Sequence, residues 1–248
     1  MSHHRAPRPS QPNLAGTAAL IGDPTRAAFL FALLQGGALP ATELAYRAGT
    51  SPQAASAHLH KLVDGGLLSV SAAGRQRLYR LAGHHVAQAI ETLVSIAPPA
   101  PVVSLTQSLA MERLRAGRTC YDHLAGRLGV AVTHSLVSRG ALRAGGPGFE
   151  VTVRGEHFFQ ELGIDVRGLR RGRRELARAC TDWTERRPHL AGSLGKALLD
   201  RFVANTWIAR SNGDRSVQLT DRGRRAVGRL FGVTRACVRD ALAAARQD

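Results

Sequence analysis

Proline and glycine cut this chain between Asp23 and Leu81 at intervals that few folds accommodate. The cuts fall at Asp23-Pro24, Gly36-Gly37, Gly49-Thr50-Ser51-Pro52, Gly65-Gly66 and Gly74. Asp23 before Pro24 reads as an N-cap with proline in the first helical position, so one helix ends near Gly22 and another starts. The second helix is expected to bury Ala27, Leu30, Phe31 and Leu34 and to stop at Gly36-Gly37. A short helix over residues 41–48 and a tight turn follow, and Ser51-Pro52 opens a further helix. On that helix Ala55, Leu59 and Leu62 share one face at i, i+4, i+7 spacing. After Gly65-Gly66 the apolar period falls from the helical value to two, through Leu68, Val70, Leu78 and Tyr79, around a tip at Gly74. That change of period predicts a β-hairpin.

A short helix, a tight turn, a second helix with small and hydrogen-bonding side chains outward, and then a hairpin make a winged helix-turn-helix. Small residues such as Ala57 allow close approach to base edges, which Gln53 or Ser56 can read. His60 and Lys61 lie beside them. His58 sits nearer the flank, where a phosphate contact or a structural hydrogen bond fits better than base reading. At the hairpin tip Arg75 and Arg77 can grip phosphate or a narrow minor groove.

These residues resemble the ArsR/SmtB family of bacterial regulators. The resemblance rests on Asp23-Pro24-Thr25-Arg26, Glu43-Leu44, Ser56-Ala57-His58-Leu59, Gly66-Leu67-Leu68, and a wing with Gly74-Arg75 and Tyr79. It implies a DNA-binding transcriptional regulator, a repressor in the first place and an activator as the alternative, acting as a homodimer on a palindromic operator. It also implies that the dimer forms on the first and last helices of this unit, residues 14–22 and 84–96, the latter with Val86, Ile90, Leu93 and Val94 on its apolar side. The family's metal sites are not carried over. Residues 39–48 contain no cysteine, and the last helix offers His84, His85 and Glu91 without a matching second histidine.

Charge agrees with a polyanionic partner. Among 248 residues, 34 basic side chains face 18 acidic ones, a formal charge of +16, and all the basic residues except Lys61 and Lys196 are arginine. Double-stranded DNA is the expected partner, although arginine-rich coding in a high-GC genome produces the same excess. Hydrophobic residues at 44% suffice for a core. No run of about 18 apolar residues is present to cross a membrane, so none is expected as a partner. Three dispersed cysteines, Cys120, Cys180 and Cys237, suit a reducing cytoplasm better than a disulfide framework. The expected domains are a disordered arm over 1–13, the winged unit over 14–97 and a proline-rich linker over 98–102.

Beyond the linker the chain repeats itself. His123-Leu124-Ala125-Gly126-Arg127-Leu128-Gly129 returns 66 positions later as His189-Leu190-Ala191-Gly192-Ser193-Leu194-Gly195. Val151-Thr152-Val153-Arg154-Gly155 answers Leu219-Thr220-Asp221-Arg222-Gly223, with Thr152 and Thr220 as N-caps. Each copy reads as helix, short hairpin, helix, in the frame of the reader's own recognition helix and wing. The expected fold is therefore mainly α with short β-hairpins: a winged helix-turn-helix followed by two tandem winged-helix-like repeats, residues 103–166 and 167–248, the second ending in a C-terminal helix. Neither copy has room for a complete helix-turn-helix, which makes this half a candidate sensor.

Arg-x-Cys-x-Asp also occurs twice. Cys120, Asp122, His123, Cys180, Asp182 and His189 would converge if the copies pack about a pseudo-two-fold. Thiolate, imidazole and carboxylate suit zinc or another transition metal, a thiol near arginine and histidine suits a redox switch, and buried cysteines also serve simply as core. An organic ligand held by Trp183, Trp207, Phe158 and Phe159 is a further alternative. The cluster Arg170, Arg171, Arg173, Arg174 is either a solvated linker or an auxiliary DNA-backbone contact. An architectural, non-specific nucleic-acid binder is the competing function. No P-loop, Gly-x-Ser-x-Gly elbow or His-Glu-x-x-His motif points to an enzyme.

Overall fold

The computed structural model describes residues 12–74, 76–98, 105–146, 148–211 and 214–234. The arm up to residue 11, Arg75, most of the linker and Cys237 lie outside them. The chain divides into two compact units, one ending at Ala87 and the other starting at Gln88.

In the first unit α1 (Leu14–Ile21) is capped by Asn13, whose side chain accepts from the Gly16 amide. Asp23 caps α2 (Pro24–Gly36) by accepting from the Arg26 amide at 2.9 Å. The Arg26 guanidinium then donates to the carbonyls of Leu20 and Ala19, at 2.7 and 2.8 Å, and closes the corner between the two helices. The buried stripe of α2 is Phe29, Leu30, Leu33 and Leu34, which corrects the expected one. Ala27 is exposed and Phe31 only half-buried. Phe29 takes the inward place, where a His58 ring from the fourth helix meets it edge-on, centroids 6.4 Å apart.

α3 (Ala41–Arg47) and α4 (Pro52–Asp64) follow, with Ser51 capping α4 through the Ala54 amide. Ala55, Leu59 and Leu62 are fully buried, as their spacing requires. Strand β1 (Leu39–Pro40) precedes α3, and β2 (Leu68–Ala73) with β3 (Gln76–Leu81) makes the wing, in the sheet order β1-β3-β2. The register runs from Leu68↔Leu81 to Ala73↔Gln76. Gly74 turns at φ +59°, a conformation that side chains with a Cβ rarely take. Helix α5 (His84–Ile96) crosses from the first unit into the second.

The second unit continues with α6 (Leu105–Ala116) and then two copies of one element string. The first is β4 (Arg118–Cys120), β5 (His123–Ala125), α7 (Gly126–Ser138), β6 (Leu142–Gly145), β7 (Gly148–Val151) and α8 (Val153–Glu161). A short α9 (Val166–Arg170) leads into the second: β8 (Arg178–Thr181), β9 (Pro188–Ala191), α10 (Gly192–Ala204), β10 (Ile208–Arg210), β11 (Val217–Leu219) and α11 (Asp221–Phe231). Thr152 and Thr220 cap α8 and α11 as expected, through the Gly155 and Gly223 amides, and each hydroxyl also reaches a carbonyl at the end of the preceding helix–strand turn. Both copies share one core, with Leu128, Leu136, Phe159, Leu194, Phe202 and Phe231 inside it.

The architecture is mixed α/β rather than mainly α with isolated hairpins. Each copy opens on an additional pair of strands, and β6-β7-β8-β9 forms a single four-stranded sheet across both copies. The helix-to-wing frame places a hairpin after each long helix and none before it, and the three or four residues of each opening strand are too few for period-two alternation to reveal them.

The repeated heptapeptide has a backbone reason. Gly126 and Gly192 turn at φ +72° and +83°, where a Cβ would meet carbonyl oxygens at 2.7 and 2.6 Å. The heptapeptide's last glycine, Gly129 or Gly195, lets the helix lie against the strand before it. A Cβ there would stand 2.5 Å from the Leu124 or Leu190 carbonyl oxygen.

Candidate nucleic-acid interface and candidate metal centre

Helix α4 turns Gln53, Ser56, Ala57, His60 and Lys61 outward, all exposed. Its opposite face is locked in the core by Ala55, Leu59 and Leu62. His60 Nε2 lies 3.4 Å from Asp64, one turn along. His58 faces the other way. Its Nδ1 stands 3.5 Å from Asp23 Oδ1 and 3.5 Å from the Arg26 guanidinium, so it ties α4 to the start of α2. The Arg26 amide, with the Arg26 and His58 charges behind it, holds the Asp23 carboxyl below its ordinary range. On the wing Arg77 is exposed and Arg80 donates to Ser71, while Arg75 falls outside the described residues.

The second constellation lies in the second unit, where the two opening hairpins meet. Cys120 and His123 are register partners across β4–β5, and Cys180 and His189 are register partners across β8–β9. Directly opposed residues project from the same face of a hairpin, so each copy offers one sulfur and one imidazole side by side. The four candidate ligand atoms all lie within 4.8 Å of one another, and all four residues are buried. The two sulfurs are 3.9 Å apart and the two histidine Nε2 atoms 3.1 Å apart. Ala125 and Ala191, fully buried, pack with the cysteines, and the bare α-carbon of Gly195 leaves room for the His123 Cβ.

Asp122 and Asp182 stand behind the histidines. His123 Nδ1 is 3.3 Å from Asp122 Oδ1, and His189 Nδ1 is 3.4 Å from Asp182 Oδ2. Asp182 also accepts from the Gly126 and Thr184 amides and pairs with the buried Arg118 at 2.9 Å. Asp122 is bridged by Arg174. Burial works to raise both carboxyls, but His123 with Arg174, and Arg118 with His189, overcome it and hold them well below the usual carboxylate range. A carboxylate at each Nδ1 favours the tautomer with its proton there and leaves the two Nε2 lone pairs facing each other. A proton held between the rings relieves that contact, and the Asp122 carboxylate raises the affinity of His123 for one against the opposing effect of burial. A cation relieves it as well.

The two thiols differ. Cys120 donates to Glu91 Oε2 at 2.7 Å; its hydrogen bond with Cys180, burial and the Glu91 charge push its proton affinity up. Cys180 is pulled down by the Cys120 hydrogen bond and, against burial, by the two imidazoles. Glu91, on α5, also lies 3.8 Å from Arg215. Sequence reasoning noticed Glu91 on its helix but gave no reason to join it to residues 29 and 89 positions away. Thus four of the six expected residues offer ligand atoms; Asp122 holds His123 by a hydrogen bond, and Asp182 stands near His189 Nδ1 without forming one.

Other expected groups take different places. Trp207 packs edge-on to Phe202, Phe158 packs against Phe159 and Phe231, and the Arg118 guanidinium lies over the Trp183 ring. None of those four expected aromatic residues lines the cavity of about 690 Å³ bounded by Arg113, Arg127, Leu128, Val217, Leu219 and Arg224. In the basic cluster, Arg170 pairs with Glu156 and Arg174 with Asp122. No single helix among the described residues is long and apolar enough to cross a membrane.

Residues 21–71 match the family model for a helix-turn-helix domain. The uncharacterized HTH-type transcriptional regulator YdfF of Bacillus subtilis (strain 168) is 47% identical over 222 residues, which cover 90% of this chain and 98% of that protein. Among solved structures, the cadmium metal-sensor CMTR from Mycobacterium tuberculosis is 34% identical, covering 37% of this chain and 99% of that one at a TM-score of 0.30. The homodimeric winged helix-turn-helix DNA-binding domain Mb0332 from Mycobacterium bovis, described as a possible ArsR-family regulator, is 24% identical, covering 35% and 86% at 0.30.

Proposed function

Because this chain belongs to the HTH-type transcriptional regulators, we propose that it is a cytoplasmic repressor that binds a palindromic operator as a homodimer and releases it on a signal received by its second unit. The outward row Gln53, Ser56, Ala57 on α4, backed by a fully buried apolar face, carries the reading. The side chains are short enough to let the helix enter a major groove, and two of them hydrogen-bond. Lys61 on the same helix and Arg77 on the wing supply phosphate contacts.

A homodimer accounts for apolar surface that the chain leaves uncovered. α1 is rich in apolar residues yet buries none, with Leu14 78% exposed, and α5 exposes Leu93 at 42% and Ile96 at 75%. Paired about a two-fold, such helices would set two reader helices against half-sites roughly 34 Å apart. The hairpin after each long helix in the second unit supports reading its two copies as winged-helix-like units. There α7 and α10 follow a hairpin instead of a short helix and tight turn, which suits sensing better than base reading.

Selection of binding sites from a random duplex library tests the proposal. Enrichment of one two-fold site, bound about a thousandfold or more above random DNA by a dimer in analytical ultracentrifugation, is the expected result. Uniform affinity for all duplexes would replace the regulator with the architectural binder that a charge of +16 also permits.

A further inference from the structure

We propose that Cys120, His123, Cys180 and His189 form a closed, four-coordinate site for a borderline-soft divalent cation of the zinc class, and that this cation is the signal read by the second unit. The signalling role rests on the regulator reading above, whereas the site rests on its own geometry.

Zinc held tetrahedrally has sulfur at about 2.3 Å and nitrogen at about 2.05 Å, which gives edges of roughly 3.8 Å between sulfurs and roughly 3.3 Å between nitrogens. The sulfurs here are 3.9 Å apart and the Nε2 atoms 3.1 Å apart. Small side-chain adjustments would close the shell. The two histidines present Nε2 to the same point; Asp122 hydrogen-bonds His123 Nδ1, the arrangement that fixes metal-ligating imidazoles, and the Asp182 carboxylate stands 3.4 Å from His189 Nδ1. Without a cation or a proton between them those lone pairs would repel. Two thiolates and two neutral imidazoles carry two negative charges, which a dication cancels. The surrounding carboxylates are already balanced: Asp122 by Arg174, Asp182 by Arg118 and Glu91 by Arg215. The centre therefore favours charge two over one or three. Thiolate and imidazole together select zinc-like metals over calcium or magnesium. All four ligands are buried, so the shell is closed in the manner of structural and sensory sites and offers no open catalytic position.

These groups also have a place in the repeat. The histidine of each heptapeptide is a ligand, its alanine makes room beside the sulfurs, and its glycines permit the turn and the close helix behind. Each copy alone supplies only two ligands, so the site exists only when the copies pair.

The test uses the full chain, stripped with a chelator under reducing conditions and titrated with cobalt(II), then with zinc(II). One equivalent of cobalt per chain should bind with the intense ligand-field bands of a tetrahedral ion and a thiolate-to-cobalt charge-transfer band, both abolished by zinc. Cys180→Ser and His189→Gln should each weaken binding by more than about 100-fold, and Asp122→Asn by about 10- to 100-fold. Weak octahedral bands, no thiolate band in wild type, or full-affinity binding by both ligand variants would overturn the site. If the variants fail to fold, the wild-type spectrum alone decides. Isolation of a Cys120–Cys180 disulfide that takes no metal after reduction would also overturn it. Operator affinity measured with and without zinc separates the two claims. Unchanged affinity at full occupancy overturns the signalling role and leaves the site standing. Selective operator binding by a chain that takes no metal overturns the site and leaves the regulator standing.

Discussion

Glu91 Oε2 accepts a hydrogen bond from Cys120 Sγ at 2.7 Å, which joins helix α5 to one of the two cysteine–histidine hairpins. The first turn of α5 belongs to the unit that carries the reader, and Glu91 lies in the second unit, where the two copies meet. Whatever alters Cys120 alters the environment of this helix. A thiolate bound to a cation would have no proton to donate, so filling of the proposed centre would break the Glu91 contact.

Glu91→Gln should therefore separate binding from response. Cobalt affinity should stay within about tenfold of wild type, because the four ligands and their aspartates are untouched. The ratio of operator affinities with and without zinc should fall toward one. Fluorescence anisotropy on operator DNA measures this, and an unaltered ratio would remove Glu91 from the path.

Residues of the first unit should divide by what they contact. Gln53→Ala should change which bases are preferred. Arg77→Ala should weaken binding to all duplexes alike and reduce the salt slope by about one. His58→Ala should leave base preference intact and lower stability by about 1 kcal/mol, since its ring packs on Phe29 and meets Asp23 and Arg26. A change in base preference for His58→Ala, with stability kept, would put that ring in the groove instead.

Gly192→Ala should destabilise the second unit by about 2 kcal/mol or more. The added Cβ meets the Glu175 and Leu176 carbonyl oxygens at 2.6 and 2.7 Å at a φ of +83°. Backbone oxygens of two successive residues cannot turn aside as a flexible side chain would. Urea unfolding followed in the second unit gives the value, and a loss below about 0.5 kcal/mol would mean that the turn relaxes freely.

Acid should weaken the first unit through Asp23. Its carboxyl is held below the ordinary value, so the unfolded chain takes up the proton first as pH falls. The stability it contributes is fully present above about pH 4 and is lost as pH drops through the folded value. The gap in melting temperature between wild type and Asp23→Ala should narrow as pH falls from 6 to 3. A constant gap would show that the cap works equally well protonated.

Local signals carried the first unit. Asp23-Pro24 and Ser51-Pro52 act within a single helical turn, through the amides of Arg26 and Ala54. The change of period after Gly65-Gly66 reports a hairpin whose register closes on itself. Thr152 and Thr220 were legible for the same reason. The stripe of α2 was not, because Ala27 and Phe29 both satisfy a helical period and only tertiary packing, in which Phe29 meets the His58 ring, chooses between them.

What the sequence by itself determined was that cysteine, aspartate and histidine recur in equivalent places of two copies, with glycines spaced to permit one local turn in each. It left open whether those groups meet. Only the tertiary structure set Cys120 beside His123 and Cys180 beside His189 on strands too short to announce themselves, turned the copies face to face, and demoted Asp122 and Asp182 to supporting the rings. It alone brought in Glu91. Caps and periods are written in bonds between residues a few positions apart, whereas this centre depends on pairings across 60 and 66 positions, which packing of the shared core decides.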